Sequence, residues 1–165
     1  MRKQVLVNYE RRDNILELES IRLVELITEI FVALFEKRHD DANGLLPQLL
    51  AHPAFGFAPL DIWKLSLKAQ QNHISWMELM SQTSEFMHLH EWLVSGAQKL
   101  AYTPLEYMLD EIIGKVDESR ETYISPLMQY FFSAEKLALA PDSYLIHLDA
   151  LRIIRSKLRE YQPLE

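Results

Sequence analysis

Leucine supplies 27 of the 165 residues, whereas valine and threonine together supply only ten. Leucine favours helices, while β-branched residues favour strands. The composition therefore predicts an all-α fold, and 48% apolar residues are enough to build one substantial core. We expect a single compact helical domain over residues 1–165, with roughly seven or eight helices joined by short connections.

One short segment departs from the helical pattern. Residues 4–8 alternate like a strand, with Val5 and Val7 on one face. A segment of this length cannot form a sheet alone. We therefore expect an edge remnant, or a strand that pairs with something outside this chain.

The first helix is predicted over residues 18–37 and should be the centre of the fold. Its charged residues form one narrow stripe, namely Arg22, Glu25, Glu29 and Glu36. Apolar residues cover most of the remaining circumference. A helix of this kind is usually surrounded by other elements, so this one is expected to carry the core.

Capping residues and prolines predict the next helices. Asp40 or Asp41 is expected to cap a second helix that ends near residue 51, with Pro47 making it start late or kink. A turn over residues 52–59 follows, and Pro59 suits the first turn of a third helix that ends near residue 70. A short helix over 75–81 and a longer one over 84–101 come next.

The second half repeats one device, a hydroxyl residue followed by proline. Thr103 before Pro104, and Ser125 before Pro126, are predicted N-caps with proline at the first helical position. Gly114 is expected to end the helix between them. Pro141 or Asp142 should open the last helix, which Pro163 stops. The residues expected to point inward from it are Leu148, Leu151, Ile154, Leu158 and Tyr161.

Composition also excludes several classes of function. With 17 basic and 24 acidic residues the formal charge is −7, whereas a free-standing protein that grips nucleic acid usually carries the opposite sign. The absence of cysteine excludes disulfides and cysteine-based zinc or iron–sulfur sites. The four glycines cannot be assembled into a P-loop or a GxGxxG pattern. No apolar run approaches the roughly 20 residues of a membrane span, and we expect a cytoplasmic protein with no membrane partner.

Side chains that suggest chemistry are few. His88 and His90 lie two residues apart on a predicted helix, so they point to different sides and are not expected to share a metal ion. No set of acids, bases or ligands has the spacing of an enzyme active site. The larger aromatic residues are expected in the core rather than as base-stacking platforms, and these are Trp63, Trp76, Trp92, Tyr130, Phe131 and Phe132.

Two basic clusters stand out against the acidic average. The first contains Arg2, Lys3, Arg11 and Arg12. The second contains Arg152, Arg155 and Arg159 on one face of the last helix, with Lys157 nearby. Such a face either contacts phosphates or a partner, or pairs with acidic residues elsewhere in the chain, and both interpretations stay open at this point.

Three stretches carry a resemblance to a known family. They are VLVNYERRDNILE at residues 5–17, LPQLLAHPAFGFAPLDIW at 46–63, and the helices from YISPL at 123–127 to LRIIRSKLREYQP at 151–163. Their order resembles the 2B accessory subdomain of UvrD-like, superfamily-one bacterial DNA helicases. In that family the first stretch leaves the second motor domain, the second is a helix–turn–helix, and the third returns to the motor.

The resemblance implies a set of DNA contacts. The family's glycine-containing turn lies against the backbone of duplex DNA, and by position His52, Pro53, Gly56 and Phe57 would occupy it. The other DNA-binding residues that we expect are Arg11, Arg12, Lys64, Arg152, Arg155 and Arg159. The sequence departs from the family at two places, since Phe55 stands where the family has arginine and Ala58 where it has a second glycine.

The resemblance also implies a function and partners. The chain would be a regulatory, DNA-contacting subdomain that swings relative to the motor of an ATP-dependent helicase active in DNA repair. Its partners would be duplex or junction DNA, the motor domains of the same helicase and a regulatory protein. No catalytic residues and no cofactor are expected in this segment, because ATP and Mg²⁺ would bind to the motor. The alternative is a free-standing acidic helical adaptor that binds a protein partner.

Overall fold

The computed structural model describes residues 14–115 and 123–161. Within these ranges the chain forms a single compact all-α domain, as predicted. Its α-helices are α1 (Glu19–Phe35), α2 (His39–Ala51), α3 (Pro59–Asn72), α4 (Trp76–Gln82), α5 (Ser84–Lys99), α6 (Leu105–Ile113), α7 (Leu127–Phe132), α8 (Ala134–Leu139) and α9 (Pro141–Glu160). Short 3-10 helices cover Ile15–Glu17 and Pro53–Phe55. The strand-like segment at residues 4–8 lies outside the described residues.

Helix α1 is the centre of the domain, as its sequence predicted. It packs against α2, α5, α6 and α9. Ile27, Ile30 and Phe31 are completely buried, while the charged stripe from Arg22 to Glu36 is exposed. A helix that is apolar over most of its circumference needs neighbours on several sides, and α1 has them.

The start of α2 differs from the prediction. The helix begins at His39 with Arg38 as its N-cap, so Asp40 and Asp41 lie in the first turn and do not cap it. The Arg38 guanidinium forms an ion pair with Asp41. Carboxylates in the first turn also stabilise a helix, because its N-terminal end carries partial positive charge. The late start predicted from Pro47 is not observed, because α2 runs through Pro47 to Ala51.

The two hydroxyl–proline starts are each displaced by one residue. Pro104 and Pro126 are themselves the N-caps of α6 and α7, so the predictions of Thr103 and Ser125 as N-caps are wrong. The Thr103 N–H donates to the Lys99 carbonyl at 2.9 Å, which makes Thr103 part of the turn that ends α5. Gly114 ends α6 in the left-handed conformation, as predicted.

The last third of the chain contains a helix that the sequence did not predict. In α8 the Ser133 side chain accepts a hydrogen bond from the Lys136 N–H at 3.3 Å, which is an ordinary N-cap. Helix α9 begins at Pro141 as expected and buries Leu151, with Leu148, Ile154 and Leu158 half-buried. Tyr161 is 81% exposed, so the prediction that it points inward is wrong. Tyr161 follows Glu160, the last residue of α9, and its side chain lies outside the face of the helix that packs on the core.

Most of the predicted core aromatics lie in the core, with one exception. Trp92 and Phe131 are buried, and Trp76, Tyr130 and Phe132 are half-buried against the core. Trp63 is 60% exposed, so its prediction as a core residue is wrong. It lies on the outer face of α3, whose inner face is formed by Leu65 and Ala69. In the described part of the chain, no helix has both the length and the apolar character needed to cross a bilayer.

Candidate functional site

The turn between α2 and α3 is the segment that the resemblance singled out. It consists of the 3-10 helix Pro53–Phe55 followed by Gly56 in the left-handed conformation, with φ 69° and ψ 15°. The Gly56 N–H donates to the Pro53 carbonyl at 3.1 Å. No atom outside the neighbouring residues lies within 4 Å of the place where a Gly56 Cβ would be, so the backbone here is open. A left-handed residue of this kind is normally glycine because it lacks Cβ.

The side chains around Gly56 turn inward rather than outward. The Phe57 ring packs on Phe86, with centroids 4.7 Å apart. Phe55, where the resemblance would place an arginine, is half-buried against the core. The turn therefore presents backbone rather than a cationic side chain to an approaching ligand.

His52 anchors the start of this turn to α1. Its Nε2 lies 2.9 Å from Glu19 Oε1, and its Nδ1 accepts a hydrogen bond from the Ala54 N–H at 3.1 Å. The ring also meets Tyr130 of α7, with centroids 5.5 Å apart. Every polar atom of the imidazole is thus occupied by a neighbour within the domain. A phosphate contact at this turn would fall to the exposed backbone around Gly56 and to Lys64.

Lys64 is the exposed cation nearest to the turn in sequence. It lies on α3, and its Nζ is 3.7 Å from Asp61 Oδ1 one helical turn earlier. Both side chains are about half exposed. An exposed pair of this kind contributes at most about 1 kcal/mol, so Lys64 can exchange this partner for another anion at little cost.

The three arginines of α9 are not equivalent. Arg155 forms an ion pair with Asp110 of α6, and the two side chains are only 24% and 21% exposed. Arg159 donates from Nε and Nη2 to the two carboxylate oxygens of Glu106, at 2.8 and 2.6 Å. These bonds lower the pKa of Glu106 and raise that of Arg159. Arg152 lies 3.7 Å from Asp149 of its own helix and is exposed.

The predicted DNA-binding residues therefore fall into separate groups. His52, Gly56, Phe57 and Lys64 belong to the turn and to α3, which follow one another along the chain. Arg155 and Arg159 pair with acidic residues of α6, which is one of the two interpretations that the sequence left open. Arg11 and Arg12 lie outside the described residues. The phosphate-contacting role of all these residues stays a prediction.

A second polar cluster was not visible in the sequence. Ser20, the second residue of α1, lies 2.6 Å from His147 Nδ1 of α9 through its Oγ. Its neighbour Glu19 contacts His52, so two consecutive residues of α1 hold two histidines that are far apart in the chain. Sequence separations of 127 and 33 residues leave no local pattern from which these contacts could be predicted.

The Ser20–His147 pair is structural rather than nucleophilic. Ser20 is buried, so a substrate cannot reach its Oγ. The His147 ring packs on Phe131, with centroids 5.0 Å apart. Burial lowers the pKa of His147 below its ordinary value, and the carboxylate of Glu19 opposes that shift only in part. Burial therefore favours the neutral form of the imidazole, which can form a hydrogen bond with the Ser20 hydroxyl.

Replacing His147 by glutamine is expected to flatten the loss of stability on acidification. The folded chain takes up this proton only below the ordinary pKa of 6.5, whereas the unfolded chain takes it up at that value. Between the two pKa values the unfolded state binds more protons, so the free energy of unfolding declines as the pH falls from about 7. Glutamine can still hydrogen-bond to Ser20 but does not titrate.

Urea unfolding at about pH 7 and about pH 5 measures this difference. The matched control is His88→Gln, which removes an exposed histidine. Equal pH dependence in wild type and His147→Gln would contradict the prediction, and so would an equal effect of the control.

The described residues contain no group of three or more histidine, aspartate or glutamate side chains that could hold a metal ion. His88 is exposed and lies 3.8 Å from Glu91. His90 is half-buried, and burial lowers its pKa.

Compared with the models of known protein families, with curated proteins and with solved structures, the chain matches none.

Proposed function

We propose that this chain is the accessory, DNA-contacting domain of an ATP-dependent helicase of the UvrD-like type. Its turn between α2 and α3 would lie against the backbone of duplex DNA ahead of the junction. The observation that carries the proposal is the open, left-handed Gly56 between two helices, at the position where that family has its glycine turn. The residue pattern of nearly the whole chain supports it.

The proposed contact uses backbone more than side chains. The Gly56 N–H already donates to the Pro53 carbonyl and Pro59 has no N–H, so a phosphate oxygen would meet the turn at the backbone between Phe57 and Leu60. This backbone suits an anion because the N-terminal end of a helix carries partial positive charge. Lys64 adds one mobile cation about one helical turn further on. The family's arginine is replaced here by the inward-packed Phe55, so we expect weak binding that does not depend on base sequence.

The proposed role is mechanical. One continuous core joins α1 to α2, α5, α6 and α9, so the domain would turn as a rigid body relative to a motor. ATP and Mg²⁺ would be bound by that motor. A change of orientation would set how the motor engages duplex DNA and how it responds to a regulatory protein.

Substituting Lys64 by alanine is expected to reduce the salt dependence of duplex binding. Each phosphate contact contributes about one unit to the slope of log K against log salt, so Lys64→Ala should lower that slope by about one unit. Fluorescence anisotropy of a labelled duplex with a single-stranded tail, titrated with the full chain at several salt concentrations, gives the slope. Arg152→Ala tests the exposed end of the α9 face in the same way.

The control for this titration is Lys37→Asn, which removes an exposed cation beyond α1. Asparagine tolerates the left-handed backbone at this position, where φ is 60°. Arg155 is not used, because its removal would leave the half-buried Asp110 without its ion-pair partner. Slopes that are the same in wild type, Lys64→Ala and Arg152→Ala would remove both residues from the proposed interface, and the absence of any salt-dependent binding would contradict the contact itself.

The reading frame that encodes the chain gives an independent test. A helicase origin predicts a GxxxxGK[ST] segment upstream and further motor segments downstream. A start codon and a stop codon directly at the ends would contradict it.

A second candidate is a helical adaptor that binds a protein partner. The specific observation in its favour is the exposed apolar face of α3, where Trp63 is 60% exposed. The net charge of −7 also suits a protein partner better than DNA alone.

A further inference from the structure

The outer face of α3 carries three large apolar side chains in a row. Leu60, Trp63 and Leu67 are 58%, 60% and 36% exposed. Their spacing of three and four residues places them on one side of the helix, and we call them the α3 stripe. The opposite side of the same helix is packed into the domain through Leu65 and Ala69.

The α3 stripe has the composition of a binding surface. Tryptophan is enriched among the residues that anchor binding partners, and on average it is highly buried. Contiguous apolar side chains at helical spacing mark a place where a second helix can lie along the first.

Charge is distributed unequally along the two flanks of the α3 stripe. On a helix with 3.6 residues per turn, Lys64 and Lys68 follow one flank, while Ser66 and Gln70 follow the other. Asp61 and Glu85 lie on the far side of the two lysines from the α3 stripe. Asp61 is 3.7 Å from Lys64, and both lysines lower the pKa of Glu85 slightly through their charge, after its hydrogen bonds. This cationic flank contrasts with a chain whose formal charge is −7.

We propose that the α3 stripe binds an amphipathic helix of a partner protein, with carboxylates along one flank of that helix's apolar face. The apolar faces would pack as two helices do, and the carboxylates would meet Lys64 and Lys68. The one-sided charge would fix the direction in which the partner helix lies.

A second copy of this chain is a poorer occupant. In an antiparallel two-fold pair the lysine flanks of both copies fall on the same side and repel each other. In a parallel two-fold pair each lysine flank meets the uncharged flank of Ser66 and Gln70.

A designed peptide tests the α3 stripe directly. The probe is a fluorescein-labelled helix of about 18 residues, with leucines at i, i+3, i+4 and i+7 and glutamates along one flank. The control peptide carries lysines in place of those glutamates. Both are titrated against the full chain by fluorescence anisotropy.

We expect the glutamate peptide to bind and the lysine peptide to bind at least tenfold more weakly. Trp63→Ala should weaken the glutamate peptide by about tenfold or more, as removal of an anchoring aromatic residue does. The double change Lys64→Glu with Lys68→Glu should reverse the preference between the two peptides. Tyr107→Ala, which removes an exposed aromatic residue of α6, should change neither affinity.

Three results would overturn the proposal. They are equal binding of the two peptides, unchanged affinity in Trp63→Ala, and self-association of the chain that Trp63→Ala abolishes, since the last would assign the stripe to a second copy. All substituted side chains are exposed. Circular dichroism of each variant checks that it is folded.

Docking of such a helix does not require the proposed helicase role. Lys64 belongs to both proposals, but duplex binding by the wild-type chain succeeds or fails independently of peptide binding. Trp63→Ala should leave duplex binding unchanged, which separates loss of the peptide site from loss of the DNA contact.

Discussion

Replacing Gly96 by alanine is expected to destabilise the fold by about 3 kcal/mol, which is large for the addition of one methyl group. Gly96 lies inside α5, where the helix passes directly over Phe31 of α1. A Cβ on Gly96 would lie 2.2 Å from the tip of the Phe31 ring. That ring is completely buried and meets Trp92 edge-on at 5.3 Å, so it has no room to retreat.

A matched glycine in another helix should give the opposite sign. Gly44 lies inside α2, is exposed, and has nothing within 4 Å of the place where a Cβ would be. Alanine is a better helix former than glycine, so Gly44→Ala should stabilise the protein by about 0.5–1 kcal/mol. Urea denaturation of the two variants measures both effects.

The Gly96 effect can be traced to one neighbour by a double-mutant cycle. Phe31→Leu shortens the side chain that a Gly96 Cβ would meet, so Gly96→Ala should cost less in the Phe31→Leu background. Equal costs in the two backgrounds would show that the ring is not the obstacle. A Gly96→Ala variant as stable as wild type would contradict the close packing of α1 and α5.

Replacing Gly114 by alanine is the second large effect, also expected at about 3 kcal/mol, because two causes add there. Gly114 ends α6 with φ 87°, a left-handed conformation that costs a residue with Cβ about 1–2 kcal/mol. A Cβ would also lie 2.1 Å from the backbone oxygen of Ser125, which cannot rotate away as a side chain can.

Gly56 separates these two causes. It is also left-handed, with φ 69°, but no atom meets a Cβ there. Gly56→Ala should therefore cost only the conformational part, about 1–2 kcal/mol. Thermal or urea unfolding of both variants compares them, and equal losses would contradict a steric obstacle at Ser125.

The sequence predicted the parts of the fold that depend on local chemistry. The apolar circumference of α1 identified the central helix, and Pro59 and Pro141 marked the starts of α3 and α9. Thr103 and Ser125 were misjudged by one residue, because Pro104 and Pro126 themselves occupy the N-cap positions. Helix α8 was missed although Ser133 is an ordinary N-cap, since the helix is only six residues long.

The candidate sites were less predictable because they depend on tertiary contacts. Nothing local links Ser20 to His147 or Arg155 to Asp110. Trp63 looked like a core residue because tryptophan usually is one, and only the packing of α3 shows which side of that helix faces out. The DNA-contacting role rests on a resemblance of residues, and it stays a prediction until binding is measured.

The central position of α1 has a consequence for synthesis of the protein. Among the described α-helices α1 leaves the ribosome first, and its partners lie as far along the chain as α9. Helix α2 follows at once, but α5, α6 and α9 emerge much later, and the Ser20–His147 contact must wait for 127 further residues. Throughout that interval much of the apolar circumference of α1 has nothing to cover it, and such surfaces are what chaperones bind. The helix that organises the finished domain is therefore the one most in need of protection while the chain is being made.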